Sequence, residues 1–357
     1  MVFAFLGFRF VSLFSNNFLG GGFSNYINNP LFWGHLNFDG EHYLTIAQIG
    51  YQSLTYFYFP IFPLLTRFIG SLFGGGFLNL AVIGLVVSNV SFFIALVGLY
   101  KLVEIDFKEK IARLTTLIVL FFPTSFYFGS YYTESLFLAL TVWSFYLARK
   151  EKWFWAGVLG GIASATRVIG SILLPVFFVE IIKKRKYKHL FFLLLIPLGI
   201  FIYMWYLKVI TGDPLNFLNT VSIFGAQRSS NFVLLPQVFY RYFFKIIPSL
   251  TYSFFPVVFT TCLELGVSIV FLILIIFSFW RLKLNYSLYC LFAYLIPTLS
   301  GSFSSMPRYV LVIFPIFILM AILVDKIPTF YKYLIFSVMI LVLAVATTMF
   351  FRGYWIA

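Results

Sequence analysis

Residues 77–113 read FLNLAVIGLVVSNVSFFIALVGLYKLVEIDFKEKIAR. Their first two thirds are apolar for long enough to cross a hydrocarbon core of roughly 30 Å, which takes about 20 residues. The run then stops in a short basic segment, Lys101 to Arg113. The same unit recurs along the chain, with Lys and Arg clustered again at Arg149 to Lys152, Lys183 to Lys188, Arg281 to Lys283 and Lys326 to Lys332, each at the end of an apolar segment. Inside lipid a backbone must satisfy its own hydrogen bonds, so repeated runs of this kind read as helices. Composition agrees. Of 357 residues, 62% are hydrophobic, 22% aromatic and only 10% charged, against about half apolar and a quarter charged in soluble domains. A soluble enzyme is excluded, and the expected class is an all-α polytopic membrane protein.

The net charge of +14, taken as a total, would point to nucleic acid. Its placement argues otherwise, because sixteen of the 25 Lys and Arg residues sit in those five loops. That is the positive-inside pattern, so membrane lipid is the expected surroundings and no nucleic-acid partner is expected. Spans are predicted near 2–20, 77–101, 114–131, 134–149, 153–167, 168–182, 190–210, 257–280, 286–300, 309–325 and 332–351. About eleven crossings make every strong basic cluster cytoplasmic. Residues 1–357 then form a single multispan domain with two extracytoplasmic inserts, 21–76 and 211–256. The start of the chain has no basic n-region or evident cleavage site, so it reads as a first span and not as a signal peptide. Residues 153–182 lie between two basic loops that should share a side, which requires a hairpin of two short helices, each about 21–23 Å long. Its turn leaves Arg167 recessed in the external leaflet, where a cation is costly unless it meets an anion or water.

The first insert carries the most informative residues, Asn37-Phe38-Asp39-Gly40-Glu41-His42-Tyr43-Leu44-Thr45-Ile46-Ala47-Gln48-Ile49-Gly50-Tyr51. Tyr43, Ile46, Ala47 and Gly50 recur at i, i+3, i+4 and i+7, with His42, Thr45 and Gln48 on another side. This is the pattern of a short amphipathic helix, expected to lie along the membrane surface. Asp39 falls at the N-cap and Gly50 at the C-cap, which explains both structurally. The same position would let Asp39, beside His42, act as a general base on a bound hydroxyl. Glu41 is expected to point away from Asp39 and favour the helix dipole. The run Tyr56-Phe57-Tyr58-Phe59-Pro60-Ile61-Phe62-Pro63-Leu64-Leu65 cannot continue as one helix. It reads either as an interfacial aromatic belt or as a contact for a lipid substrate.

External charges are otherwise few. Glu134 opens a span, where Thr133 can cap and the dipole favours an anion. Asp213 closes a span with turn chemistry. Arg228, Arg241 and Lys245 fall in the second insert, and Arg308 stands at the lip of the tenth span. Singly, each reads as a solvated charge. Collected on the face that should be poor in cations, and joined by Arg167, the arginines suit the phosphate of an anionic lipid headgroup, whose oxygens guanidinium binds in bidentate fashion. Cys262 and Cys290 lie in apolar segments and read as packing residues. No spacing of metal ligands is visible, so neither metal nor cofactor is expected.

The segment Phe38-Asp39-Gly40-Glu41-His42-Tyr43-Leu44-Thr45-Ile46-Ala47-Gln48-Ile49-Gly50-Tyr51 resembles the Trp-Asp-x-x-His-(Phe/Tyr)-Leu-x-Ile-Ala-x-x-Gly-Tyr element of the PIG-V-like mannosyltransferases, the family of the second mannosyltransferase of GPI-anchor synthesis and its prokaryotic relatives. Phe59-Pro60-Ile61-Phe62-Pro63-Leu64 is similar to the element that follows it. Weaker likenesses continue in Tyr132-Thr133-Glu134-Ser135-Leu136-Phe137, Thr166-Arg167-Val168-Ile169-Gly170 and Met306-Pro307-Arg308-Tyr309. The order holds from residue 38 to 309, with Phe38 in place of the family's tryptophan.

The resemblance implies a GT-C type glycosyltransferase acting at the extracytoplasmic or lumenal face of the cell membrane, or of the ER membrane in a eukaryote. It implies a polyprenyl- or dolichyl-phosphate sugar donor, mannose transfer being the family's chemistry, and a glycolipid or glycan acceptor. It also leaves room for a small membrane partner subunit. By carry-over Asp39 is the catalytic base of an inverting transfer. Arg167 and Arg308 hold the donor phosphate, with Arg228 and Arg241 behind them, and His42, Glu134 and Tyr43 orient Asp39 or the substrate. A transporter or flippase of a lipid-linked saccharide is the competing class. Such proteins show half-chain repeats and charges deep in several spans, whereas here no repeat appears and polar residues gather on one face.

Overall fold

The computed structural model describes residues 2–14, 17–220 and 232–356, and among these the chain is helical with no strand. Its longer helices are α1 (Asp39–Ile49), α2 (Ile61–Ser71), α3 (Phe77–Glu104), α4 (Glu109–Phe121), α5 (Glu134–Arg149), α6 (Trp153–Ser164), α7 (Leu173–Lys183), α8 (Leu195–Thr211), α9 (Phe255–Arg281), α10 (Leu284–Thr298), α11 (Phe314–Lys326) and α12 (Thr329–Phe351). Helix α3 packs along α5, α5 along α6, and α6 along α8, while α4 lies against α11. Helices α6 and α8 approach closely, since a Cβ on Gly199 would collide with the carbonyl of Gly161. Small residues at a crossing let two backbones meet, the usual device where lipid supplies no hydrophobic drive.

Four helices among the described residues are long and apolar enough to cross a membrane singly: Phe77–Glu104, Tyr187–Thr211, Phe255–Arg281 and Thr329–Phe351. The other expected spans fall on helices of 11 to 16 residues, about 16–24 Å long at 1.5 Å per residue. The all-helical membrane class stands, but eleven full crossings do not follow from it. The expected first span, 2–20, is corrected outright. Among the described residues of that stretch helix is confined to Val2–Gly7; the chain then turns, with the Phe10 and Val11 N–H groups both donating to the Gly7 carbonyl at 2.9 Å, and Phe18 takes φ 58°. The tenth span is also not straight. Met306–Val312 meets Phe314–Lys326 at 85°, with Pro315 opening the second piece, where its missing N–H costs no helical bond. Arg308 therefore rides on a short arm set across the end of α11.

All five basic loops converge at one end of the bundle. Asp106 takes Arg149 in a bidentate pair at 2.6 and 2.8 Å and Lys283 at 2.6 Å. Asp325 joins Lys110 at 2.6 Å to Lys332 at 3.8 Å, and Lys186 pairs with Glu151. Because α5 runs from Glu134 to Arg149 over 16 residues, its first residue stands about 24 Å from that basic end. The few remaining acidic and basic groups of interest gather around Glu134.

Candidate active site

The expected helix after Phe38 is present, and Tyr43, Leu44, Ile46 and Ala47 are its buried face. Asp39 is not its N-cap. It is the first helical residue, Phe38 occupies the cap position, and no side chain caps the helix. The carboxylate is thereby turned away from its own helix and toward Arg308. Phe38 adopts φ 60° and ψ −117°, a strained conformation for a side chain that costs about 1–3 kcal/mol and persists only where the surroundings over-determine it. They do so here. The Phe38 N–H donates to the Phe18 carbonyl at 2.7 Å, and its ring sits against Phe350 and Trp355. Next to it, Asn37 donates to the Phe350 carbonyl at 2.9 Å, accepts from the Gly20 N–H at 2.9 Å, and has its carbonyl held by the Tyr132 hydroxyl at 2.7 Å. Arg308 is presented in a similar way, since Ser305 ahead of it has φ 69°.

These two strained turns bring together residues 269 positions apart. Arg308 Nη1 donates to Asp39 Oδ2 at 2.5 Å, and the Tyr58 hydroxyl donates to Asp39 Oδ1 at 3.1 Å. Arg308 Nε lies 3.2 Å from Glu134 Oε1, and the same oxygen pairs with Arg167. Glu134 is only 1% exposed. It opens α5, and Thr133 does not cap it as expected; instead the Thr133 hydroxyl accepts from Arg167 at 3.3 Å. Glu134 is thus the bridge that spaces the two arginines. Aromatic rings enclose the Arg308 guanidinium, with Tyr309, Tyr132, Tyr127 and Trp355 at 5.3, 5.4, 5.6 and 6.0 Å, and Tyr309 also faces Arg167 at 5.5 Å. Such a ring stabilises a cation by about 0.5–1 kcal/mol at an exposed site and by about 2 kcal/mol when the cation is desolvated.

Asp39, Arg167 and Arg308 line one end of a cavity of about 280 Å³ whose remaining wall is mainly apolar, from Phe57, Phe59, Phe217, Leu218, Phe232 and Ile296. The proline-rich aromatic run therefore lines the cavity and is not simply a belt. Arg167 stands in extended backbone between α6 and the turn that begins α7, as the hairpin reading expects. Tyr43 also lines the cavity, and His42 stacks on Tyr58 at 5.1 Å. Burial pushes the Asp39 carboxyl up, but the charge and hydrogen bond of Arg308, with His42 and Tyr58 adding to them, outweigh it and hold the group below its ordinary range. Burial lowers His42 against the pull of Asp39. The site therefore offers an ionised carboxylate beside a neutral imidazole at neutral pH.

The other sequence-derived residues lie apart. Arg241 donates to the Gly301 carbonyl at 3.2 Å and does not line the cavity, while Arg228 falls outside the described residues. Glu41 turns from Asp39 as expected and accepts from the Gly22 N–H at 3.0 Å. Asp213 makes the turn predicted for it, accepting from the Leu215 N–H at 2.8 Å. Sequence reasoning passed over Tyr58, Tyr309, Tyr132 and Trp355. Tyr309 and Tyr132 stand beside the rare charges Arg308 and Glu134, which was the available signal, and Tyr58 lies within the aromatic run already singled out; Trp355 carried none.

The family model for mannosyltransferase (PIG-V) matches residues 12–212. The chain belongs to the PIG-V mannosyltransferase family. Asp39, His42, Glu134 and Arg167 lie inside the matched PIG-V segment, and Arg308 lies beyond it. Among solved structures, this PIG-V family member is similar in fold to ArnT from Cupriavidus metallidurans, crystallised with undecaprenyl phosphate. The TM-score is 0.51 at 16% sequence identity, covering 99% of this chain and 72% of ArnT. That likeness fits the GT-C architecture expected from the sequence. No curated protein matches the sequence significantly.

Proposed function

We propose that this PIG-V family member moves mannose from a polyprenyl- or dolichyl-phosphate donor to a hydroxyl of a lipid-linked or cell-surface acceptor, with inversion at the anomeric carbon. The observation that carries the reading is the Asp39–Arg308 pair, its side chains 16% and 7% exposed, at the polar end of a mainly apolar cavity. A single hydrocarbon-bound phosphate with a sugar attached matches both ends. The undecaprenyl phosphate of the ArnT structure supports a donor of this chemistry.

In the proposed step the acceptor hydroxyl gives its proton to Asp39 as its oxygen attacks the anomeric carbon. The bond from that carbon to the phosphate oxygen breaks, and polyprenyl phosphate leaves with its charge held by Arg308 and Arg167. Before the donor arrives, Arg308 keeps Asp39 ionised but weakly basic. A phosphate that shares Arg308 draws charge away from the Asp39 pair, so the carboxylate becomes more basic as the substrates assemble. Glu134 keeps both guanidiniums in register, His42 and Tyr43 support Tyr58 against Asp39, and Tyr58 orients the carboxylate.

Membranes containing the protein, offered lipid-phosphate mannose, glucose, galactose and an aminosugar donor, are expected to release lipid phosphate from the mannose donor at least ten times faster than from the others. A different preferred sugar would discard the mannose assignment alone. The basic end is assigned to the cytoplasm by the positive-inside rule, which puts the cavity on the extracytoplasmic face. In a background lacking Cys262, a cysteine replacing exposed Gln48 should react with an impermeant maleimide added outside, and one replacing Arg185 should not. The reverse pattern would invert the orientation.

A further inference from the structure

The segment after α12 folds back into the core against Phe38 and Arg308. Arg352 Nε donates to the Val11 carbonyl at 2.7 Å. Gly353 turns with φ 79°, a conformation natural to glycine. Tyr354 stacks on Phe14 at 4.8 Å. The Trp355 carbonyl accepts from Thr260 Oγ1 at 3.3 Å, and the Ile356 carbonyl accepts from the Tyr127 hydroxyl at 2.7 Å. These contacts fix one side chain against Phe38 and Arg308. The Trp355 indole meets the Phe38 ring edge-on at 4.9 Å and lies 6.0 Å from the Arg308 guanidinium. Phe38 is the strained residue that aims Asp39, and Arg308 is the partner of Asp39. Trp355 therefore touches both supports of the pair and neither the carboxylate nor, by position, the cavity, whose lining does not include it. It lies outside the segment that the PIG-V family model matches.

We propose that Trp355 is a positioning residue that clamps the Asp39–Arg308 pair, holding Phe38 in its strained conformation and the guanidinium against the carboxylate. This rests on the glycosyltransferase reading of the site. An indole is large and apolar and has few rotamers, so it excludes water from a charge pair at low entropic cost. Removing it leaves a space beside the pair into which water can move, and a displacement of about 1 Å in a catalytic group can cost about 100-fold in rate. The groups that face Asp39 are Arg308, Tyr58 and His42, with Glu134 behind Arg308. Among these Trp355 meets the Arg308 guanidinium, so a loosened clamp reports on Asp39 through Arg308.

The test compares Trp355→Ala and Trp355→Phe with wild type, and uses Trp205→Leu, a 69% exposed tryptophan that does not line the cavity, as the control. Two readouts are taken on full-length protein in membranes. One is the pH at which carbodiimide begins to modify Asp39, followed by mass spectrometry, which reports protonation of the carboxylate without any turnover. The other is kcat and KM for polyprenyl-phosphate mannose. Trp355→Ala is expected to move Asp39 modification to higher pH and to lower kcat about 10- to 100-fold with KM changed less than about threefold. Trp355→Phe should restore most of both, and Trp205→Leu should match wild type. Should Trp355→Ala fail to fold, Trp355→Leu is read in its place, since it keeps apolar volume and loses the ring. Modification and kcat equal to wild type in the Ala or Leu variant would overturn the clamp. Wild type without turnover would overturn the glycosyltransferase reading, while the modification profile would still decide whether Trp355 holds the pair.

Discussion

Arg308→Gln is expected to lower kcat for sugar transfer by about 100- to 1,000-fold, the effect of removing one preorganised donor from a developing negative charge. The substitution acts twice. It takes away the cation that would meet the departing phosphate, and it removes the partner that offsets the burial of Asp39. Because Arg308 is what holds the Asp39 carboxyl below its ordinary range against that burial, its loss lets the pKa rise, so the acid limb of kcat/KM should move to higher pH. Wild type, with Asp39 held ionised, should show no acid limb from this group between about pH 5 and 8. Stability also suffers, since the side chains of Arg308 and Glu134 are 7% and 1% exposed and breaking a buried pair costs about 3–5 kcal/mol. Arg308→Lys separates the two effects. It keeps the charge and most of the stability but loses the fork that reaches Asp39 and Glu134 together, so kcat should recover only in part. Rate measurements across pH, with thermal unfolding of the same preparations, check each element; an Arg308→Gln variant with wild-type kcat would remove Arg308 from the phosphate role.

Asp39→Asn is the larger predicted loss, about 1,000-fold or more in kcat, at the upper part of the range for removal of a general base. Asparagine has the shape of aspartate and can still accept from Arg308 and Tyr58 through its carbonyl oxygen. It makes no cap that could be lost, because the aspartate makes none. The expected protein is folded and membrane-inserted, binds donor near wild-type affinity, and does not transfer sugar. The outcome that counts against the assignment is transfer within tenfold of wild type. An intermediate stability loss is expected because Arg308 keeps only Glu134 as a charged partner.

Much of this site was legible in the sequence, for a physical reason. In a chain with only 10% charged residues, each charge outside the basic loops must have a partner or a task, and Asp39, Glu134, Arg167 and Arg308 prove to be one another's partners. The amphipathic pattern gave α1, and its Gly50 end, without difficulty. It did not give the orientation of Asp39, since the cap reading presumed ordinary backbone at Phe38, and that residue's φ of 60° is set by contacts with Phe18, Phe350 and Trp355. The first span failed because apolar composition was counted without the turn after Gly7, where the N–H groups of Phe10 and Val11 both donate to the Gly7 carbonyl. The rings around Arg308 were hidden because Tyr127 and Tyr132 come from one part of the chain and Trp355 from another, both far in sequence from Arg308, and in a sequence with 23 tyrosines and 50 phenylalanines an aromatic residue carries almost no local signal.

The central claim is that sugar is transferred at this site and not carried past it. Purified protein in sealed vesicles, supplied from outside with polyprenyl-phosphate mannose labelled in both the sugar and the phosphate, separates the two. The account predicts that the labels part, with polyprenyl phosphate released in step with mannose appearing on an acceptor, and that Asp39→Asn abolishes the separation. Movement of the doubly labelled lipid to the inner leaflet with its sugar–phosphate bond intact would contradict it.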